Sequence, residues 1–282
     1  MGSRTKKNIG AVIYHVFSCL FGFVMIYPLI WMLISSFKPT NDIYKTAASL
    51  IPQPFVLDNY PNGWKGFGGV SFSVFIKNSL FVSTLSTIGA VISSTFVAFG
   101  FARLRFHGRK IWFACVMITM MLPFQIVMIP QYIIFNKLGW VNTFLPLIVP
   151  NFFGGAFFIF LTMQFFMGIP RDLDEAAKID GCSVYGIFFR ILMPLVTPAM
   201  VTCTIFSFMW TWDNFLASMI YLNKPDIYTV SIALRMFIDP SSISDFGATL
   251  AMSVVSLLPI FFIFIFFQKY LVEGISTEGL KG

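Results

Sequence analysis

Charge is scarce in this sequence. Lys, Arg, Asp and Glu make up 11% of 282 residues, where an ordinary soluble domain carries roughly 25%. Apolar residues reach 57% and the mean hydropathy is +0.81, so a soluble globular chain is excluded and a helical integral membrane protein is expected. The short, strictly alternating segments of a β-barrel are missing as well. Histidine is nearly absent. His15 reads as an interfacial residue and His107 as a loop residue, which leaves no His-based zinc cluster and no Ser-His-Asp triad. No G-x-x-x-x-G-K-[ST] phosphate loop occurs, so the chain is not expected to hydrolyse ATP. Of the four cysteines, Cys19, Cys115 and Cys203 fall in apolar runs, where Cys behaves as a small hydrophobe, and Cys182 lies in a polar block. No disulfide framework follows. The net charge of +7 forms no single patch, which argues against a nucleic-acid partner.

Six apolar segments are present, at about 11–37, 76–102, 111–135, 144–168, 198–221 and 246–270. Each is long enough to cross a hydrocarbon core of about 30 Å, which needs roughly 20 residues. The first follows Arg4, Lys6 and Lys7 like a signal peptide, but it is too long for one and lacks a clear small-residue cleavage site. We read it as a retained helix. Lys and Arg set the orientation. With the N-terminus cytoplasmic, twelve of the nineteen lie on the inner side and seven on the outer. The short loop RLRFHGRK is the strongest single indication, and Lys281 adds to the inner set. Both termini are therefore expected in the cytoplasm, with 1–282 as one transmembrane domain.

The loops differ in character. Residues 38–75 hold Pro39, Pro52, Pro54 and Pro61 and suggest a structured or meandering outer segment; a second outer segment covers 222–245. Within the second span, Ser83, Thr84, Ser86, Thr87, Gly89, Ser93 and Ser94 offer small-residue packing surfaces.

One block breaks the apolar pattern: DEAAKIDGCSVYGIFFRILMPLVTP, residues 174–198. Asp172 and Glu175 have capping-box spacing, and Asp174 and Lys178 form an i,i+4 pair with the acid first. Gly181 relaxes the backbone, Ser183 can cap a second helix, Pro194 disfavours its continuation and Pro198 can open the next span. The expectation is a helix–Gly–helix knob at about 169–197, on the cytoplasmic side between the fourth and fifth spans. Its apolar members, among them Ala176, Ala177, Ile179, Val184, Tyr185, Phe188 and Phe189, need a covering surface. An interfacial helix lying on the bilayer is one reading. Asp174, Glu175 and Asp180 against Lys178 match anionic lipid poorly, which favours a protein partner.

Glu175-Ala176-Ala177, then Asp180-Gly181, then Pro194, resembles the EAA motif of permease subunits of ABC importers. The wider sequence is similar to the carbohydrate group that includes the maltose permease, from about residue 10 to 282. IYPLIWMLISSFKP, FGFARLRFHGRK, TMMLPFQIVMIPQY, QFFMGIPRDLDEAAKIDGCS, FSFMWTWDNFL and the closing VEGISTEGLKG carry the likeness. Cys182 stands where that group often has Ala. The resemblance implies an all-α permease with a coupling helix that docks in a cleft of an ATP-binding subunit, through Glu175, Ala176, Ala177, Asp180 and Gly181. It also implies a second permease subunit, two ATP-binding subunits that hold ATP and Mg, an extracytoplasmic solute-binding protein, and residence in a bacterial or archaeal inner membrane.

Polar residues inside spans mark a route or a structural bond. Gln125, Asn151, Gln164, Asp213 and Asn214 are the candidates. Asp213 stands deep in the fifth span in MWTWDNF, and a helix–helix hydrogen bond or a place on the translocation route fits it equally. At about 100° per residue, a helix through this segment puts Trp210 and Asp213 on one face, extended by Phe206 and Ala217, while Trp212 points away. Indole faces stack on the C–H faces of sugars and amides bond hydroxyls, so Phe206, Trp210, Asp213 and Asn214 form a candidate sugar path. Rival readings are a permease for a polyamine or glycerol phosphate, a secondary transporter, and a membrane scaffold without a transport path.

Overall fold

The structure, a computed structural model, describes residues 2–238 and 245–279, with side chains over 10–238 and 245–269. The side chains of Arg4, Lys6 and Lys7, positions 239–244 of the second outer segment, and Lys281 with the end of VEGISTEGLKG lie outside the described residues. Among the described residues all regular structure is helical apart from one isolated bridge, Phe67 to Val70. The all-α expectation holds.

In chain order the helices are α1 (Gly2–Ser35), α2 (Asn59–Trp64), α3 (Phe72–Arg103), α4 (Arg109–Met121), α5 (Phe124–Lys137), α6 (Leu145–Ile148), α7 (Ala156–Gly168), α8 (Asp172–Ile179), α9 (Val184–Gly186), α10 (Met193–Leu195), α11 (Thr197–Trp212), α12 (Phe215–Tyr221), α13 (Val230–Phe237) and α14 (Phe246–Gly279). Among the described residues four stretches are long and apolar enough to cross a membrane: Gly10–Ser35, Phe72–Arg103, Leu145–Gly168 and Phe246–Lys269. The number reaches six where each of two bent pairs counts as one span: α4 with α5, bent by 100°, and Val184–Leu195 with α11, bent by 72°.

The breaks have local causes. Leu122 precedes Pro123 and is driven out of the helical region to ψ 115, because the proline ring crowds a helical residue before it. Val149–Phe153 tightens to a 3₁₀ turn around Pro150, and Gly154 then takes φ 88. The apolar run at 198–221 is not one helix. It stops at Trp212, and Asn214 starts α12 by accepting a hydrogen bond from the Ala217 N–H. Pro198 opens α11 as expected. Pro194 does not end its helix. The chain widens to a π-turn over Ile187–Leu192 and runs on to Leu195, so the bend falls at Val196. A wider turn makes room for a ring that lacks an N–H.

The chain forms two compact units. One holds residues up to Phe72 together with Leu234–Leu257. Here the outer segment is built on buried polar bonds. The Lys38 ammonium, 1% exposed, donates to the Thr46 and Ser49 carbonyls at 2.8 and 2.6 Å. The Asn59 amide donates to the carbonyls of Ser36 and Lys38, and Thr40 donates to the Asp245 carboxylate. Burying a cation requires that its donors be met, and the hydrogen-bonded turns over 42–49 present the Thr46 and Ser49 carbonyls to it.

The second unit, Ser73–Ala233 with Leu258 onward, packs around α3. The small residues foreseen as packing surfaces line its buried side. Ser86 donates to the Leu147 carbonyl, Ser94 accepts from Gly155 N–H, and Gly89 leaves no room for a Cβ against the Phe152 ring. Thr84 is the exception and faces outward.

Candidate functional site

The 169–197 block forms the helix–Gly–helix unit expected of it. α8 ends at Ile179, and Gly181 takes φ +78, a left-handed conformation open to glycine at little cost. Ser183 then caps α9, its hydroxyl accepting from the Gly186 N–H at 3.2 Å.

Two local expectations are corrected. Asp172 and Glu175 form no capping box: α8 starts one residue earlier than that motif requires, with Arg171 at its cap and no side-chain cap bond. Asp172, Asp174 and Glu175 instead crowd the first turn, where negative charge suits the helix dipole. The ion pair of Asp174 is with Arg103, not Lys178. Arg103 Nη1 lies 3.3 Å from Asp174 Oδ2, and the two side chains are 4% and 12% exposed. Asp174 and Ala177, three apart, share the buried face of α8, while Lys178 is in solvent.

Arg103 is the last residue of α3 and holds more than the carboxylate. Its Nη2 donates to the Phe166 and Ile169 carbonyls at 2.7 and 2.8 Å, which satisfies the C-terminal end of α7. Arg171 reciprocates with a bond to the Ala102 carbonyl at 3.1 Å. α8 is thus clamped to the ends of α3 and α7. Behind it, Ala177 packs with Ala98, Phe99, Phe166 and Phe188 in one buried cluster. Several apolar members of the block therefore find cover within the chain itself. Glu175, Ala176, Ile179, Asp180, Gly181 and Tyr185 remain outward, with Ile179 87% exposed.

The predicted sugar-path residues are partly brought together. Trp210 packs on Phe157, Phe158 and Phe206, with ring centroids 5.2, 5.4 and 5.8 Å away. It lines a cavity of about 290 Å³, shared with Gln131, Asn151, Ser207, Asn214 and Tyr221 among others. Phe206 stands behind Trp210 and does not reach the lining. Trp212 is buried on Phe208, pointing away from Trp210 as expected. The continuous face running Trp210–Asp213–Ala217 does not exist, because the helix breaks at 213–214. Ala217 reaches the cavity from α12, whereas Asp213 sits at the C-cap of α11, exposed and outside the lining. Gln131, Ser207 and Tyr221 were missed. Gln131 had a signal, a polar side chain after Pro130 within an apolar run; Ser207 and Tyr221 read as ordinary span residues.

The class of protein follows from chains of similar sequence and fold. Residues 90–277 match the family of the binding-protein-dependent transport system inner membrane component. The arabinooligosaccharides transport system permease protein AraQ of Halalkalibacterium halodurans is 32% identical over 262 residues, 92% of each chain. The galactooligosaccharides transport system permease protein GanQ of Bacillus subtilis is 28% identical over 281 residues, 99% of this chain and 98% of that one. A chain of a bacterial ABC transporter involved in the import of the acidic polysaccharide alginate shares the fold, with a TM-score of 0.81 at 20% identity over 96% of this chain and 99% of that one. The chain belongs to the family of binding-protein-dependent transport inner membrane components, the permeases of ABC transporters.

Proposed function

We propose that this chain is the membrane-spanning subunit of an ATP-driven importer that passes a sugar or oligosaccharide delivered by an extracytoplasmic binding protein. It works beside a second permease subunit, and two partner ATP-binding subunits hold ATP and Mg and carry out the hydrolysis. The observation that carries this reading is the α8–Gly181–α9 block. It is clamped to the bundle through Arg103 and Arg171, yet it turns Glu175, Ala176, Ile179, Asp180 and Gly181 outward. A buried clamp lets a push on the block move α3 and α7 rather than bend a loop. Small Ala176 permits close approach, and Ala177 sets the packing behind it. The block and both termini lie on the cytoplasmic side, in keeping with the Lys and Arg distribution.

On the transport side, Trp210 and Asn214 stand on the cavity wall and Phe206 supports the indole, with Asp213 at the break beside them. Relatives named for arabino- and galactooligosaccharides support a sugar as cargo. The test is uptake of labelled oligosaccharides by the assembled complex in proteoliposomes. Uptake should require ATP, the ATP-binding subunits and the binding protein. Uptake that persists without the ATP-binding subunits, driven by an ion gradient, would establish the secondary-transporter reading instead.

A further inference from the structure

We propose that the cavity beside Trp210 is a binding subsite for one uncharged sugar ring, held within this subunit itself. The inference rests on the reading of the chain as a sugar permease. It starts from the backbone. Phe124 follows the break at Leu122–Pro123, Pro150 and Asn151 belong to the 3₁₀ turn, and Asn214 follows the end of α11, and all of them line this cavity. Irregular backbone at membrane depth is tolerated only inside protein or beside a water-filled space. Three breaks meeting at one cavity point to the second case.

The lining then selects the ligand. It contains no Asp, Glu, Lys, Arg or His. A polyamine, a phosphate ester or a uronate loses water on entering such a space and needs an opposite charge in return. An uncharged polyol needs only donors, acceptors and an apolar face. Those are present and idle. The Gln131 amide stands on the wall, and the Tyr221 hydroxyl is buried without a partner. Asn151 spends its Nδ2 on the Leu147 carbonyl and Asn214 spends its Oδ1 on the Ala217 N–H. Oδ1 of the first and Nδ2 of the second are left over. Trp210, half exposed, supplies the flat face. The volume, about 290 Å³, sits at the lower end of the roughly 300–1,000 Å³ of ligand pockets. It suits a single ring, so an oligosaccharide would pass one residue at a time.

The experiment uses the complete complex in proteoliposomes. The uncharged probes are labelled pentose, hexose and N-acetylhexosamine oligosaccharides; the charged probes are trigalacturonate, spermidine and glycerol phosphate. The readout is molecules moved per ATP hydrolysed. Gln131→Glu places a charge in the cavity, and Gln131→Leu removes the amide while suiting a membrane interior. Both should lower the ratio for uncharged sugars at least tenfold. Gln125→Leu, on the same helix but off the lining, should keep the wild-type ratio. Wild-type ratios in both Gln131 variants would overturn the subsite while leaving the permease reading intact. So would a wild-type complex that passes trigalacturonate but no uncharged sugar; passage of spermidine or glycerol phosphate alone would overturn the sugar-permease reading as well. If the wild-type complex moves no probe in an ATP-dependent way, the sugar-permease reading itself fails and takes the subsite with it.

Discussion

Arg103 and Asp174, seventy-one positions apart, form an ion pair at 3.3 Å with both side chains nearly closed to solvent. The pair is half satisfied, since Arg103 Nε and Asp174 Oδ1 have no partner. Removing one member leaves the other charge buried alone, a cost of about 3–5 kcal/mol. Arg103→Ala and Asp174→Ala should therefore each lower the thermal stability of the purified complex. The double variant Arg103→Met, Asp174→Leu should regain much of it, because replacing both charges by apolar groups is often neutral. It should still lose binding-protein-stimulated ATP hydrolysis, since the α7 carbonyls are then no longer tied to α3. Full stimulation in that double variant would show that the clamp serves stability alone.

Gly181 separates backbone from bulk. A Cβ there meets nothing within 4 Å in this chain, so a substitution is opposed by the left-handed conformation, at about 1–2 kcal/mol, and by whatever docks. Asn tolerates that conformation. Gly181→Asn should retain stimulated hydrolysis in large part, and Gly181→Val should lose it while inserting and pairing normally. Normal transport by Gly181→Val would remove this turn from the docking surface.

Cys182 reports the topology. It lies half-buried beside α8, while Cys19 and Cys115 sit in spanning helices and Cys203 is buried. A membrane-impermeant maleimide should label Cys182 alone in inside-out vesicles, and bound ATP-binding subunits should protect it. Labelling from the outer face of intact cells would reverse the orientation.

Asp213 distinguishes route from scaffold. Its carboxylate is exposed at the end of α11 and off the cavity lining. Asp213→Asn should accordingly leave both uptake and sugar preference near wild type. Trp210→Ala, which removes the indole from the wall and from Phe157, Phe158 and Phe206, should cut uptake at least tenfold. A changed preference in Asp213→Asn, measured on the same oligosaccharides, would return the carboxylate to the path.

The sequence by itself determined the class of solvent this chain folds in, and hence its class of structure. Long apolar runs leave every backbone group to be satisfied internally, and helices do that within a single segment. It also determined the local events of the 169–197 block, because a glycine turn at Gly181 and a serine cap at Ser183 depend on neighbours within a few residues. Pro123 broke the apolar run 111–135, which hydropathy alone reads as one span, and near Pro194 the bend moved to Val196 because a π-turn absorbed the ring. Tertiary structure decided the rest. Whether Asp174 pairs with Lys178 or Arg103 depends on which face of α8 is buried, and the partner comes from the end of another helix. Whether Trp210 and Asp213 share a face depends on the helix continuing, and the cap of Asn214 on Ala217 ends it there. The cavity drew Gln131, Asn151, Trp210, Asn214 and Tyr221 from segments up to ninety residues apart. Such a meeting is set by how broken helices pack, a long-range property that helical periodicity within one segment does not carry.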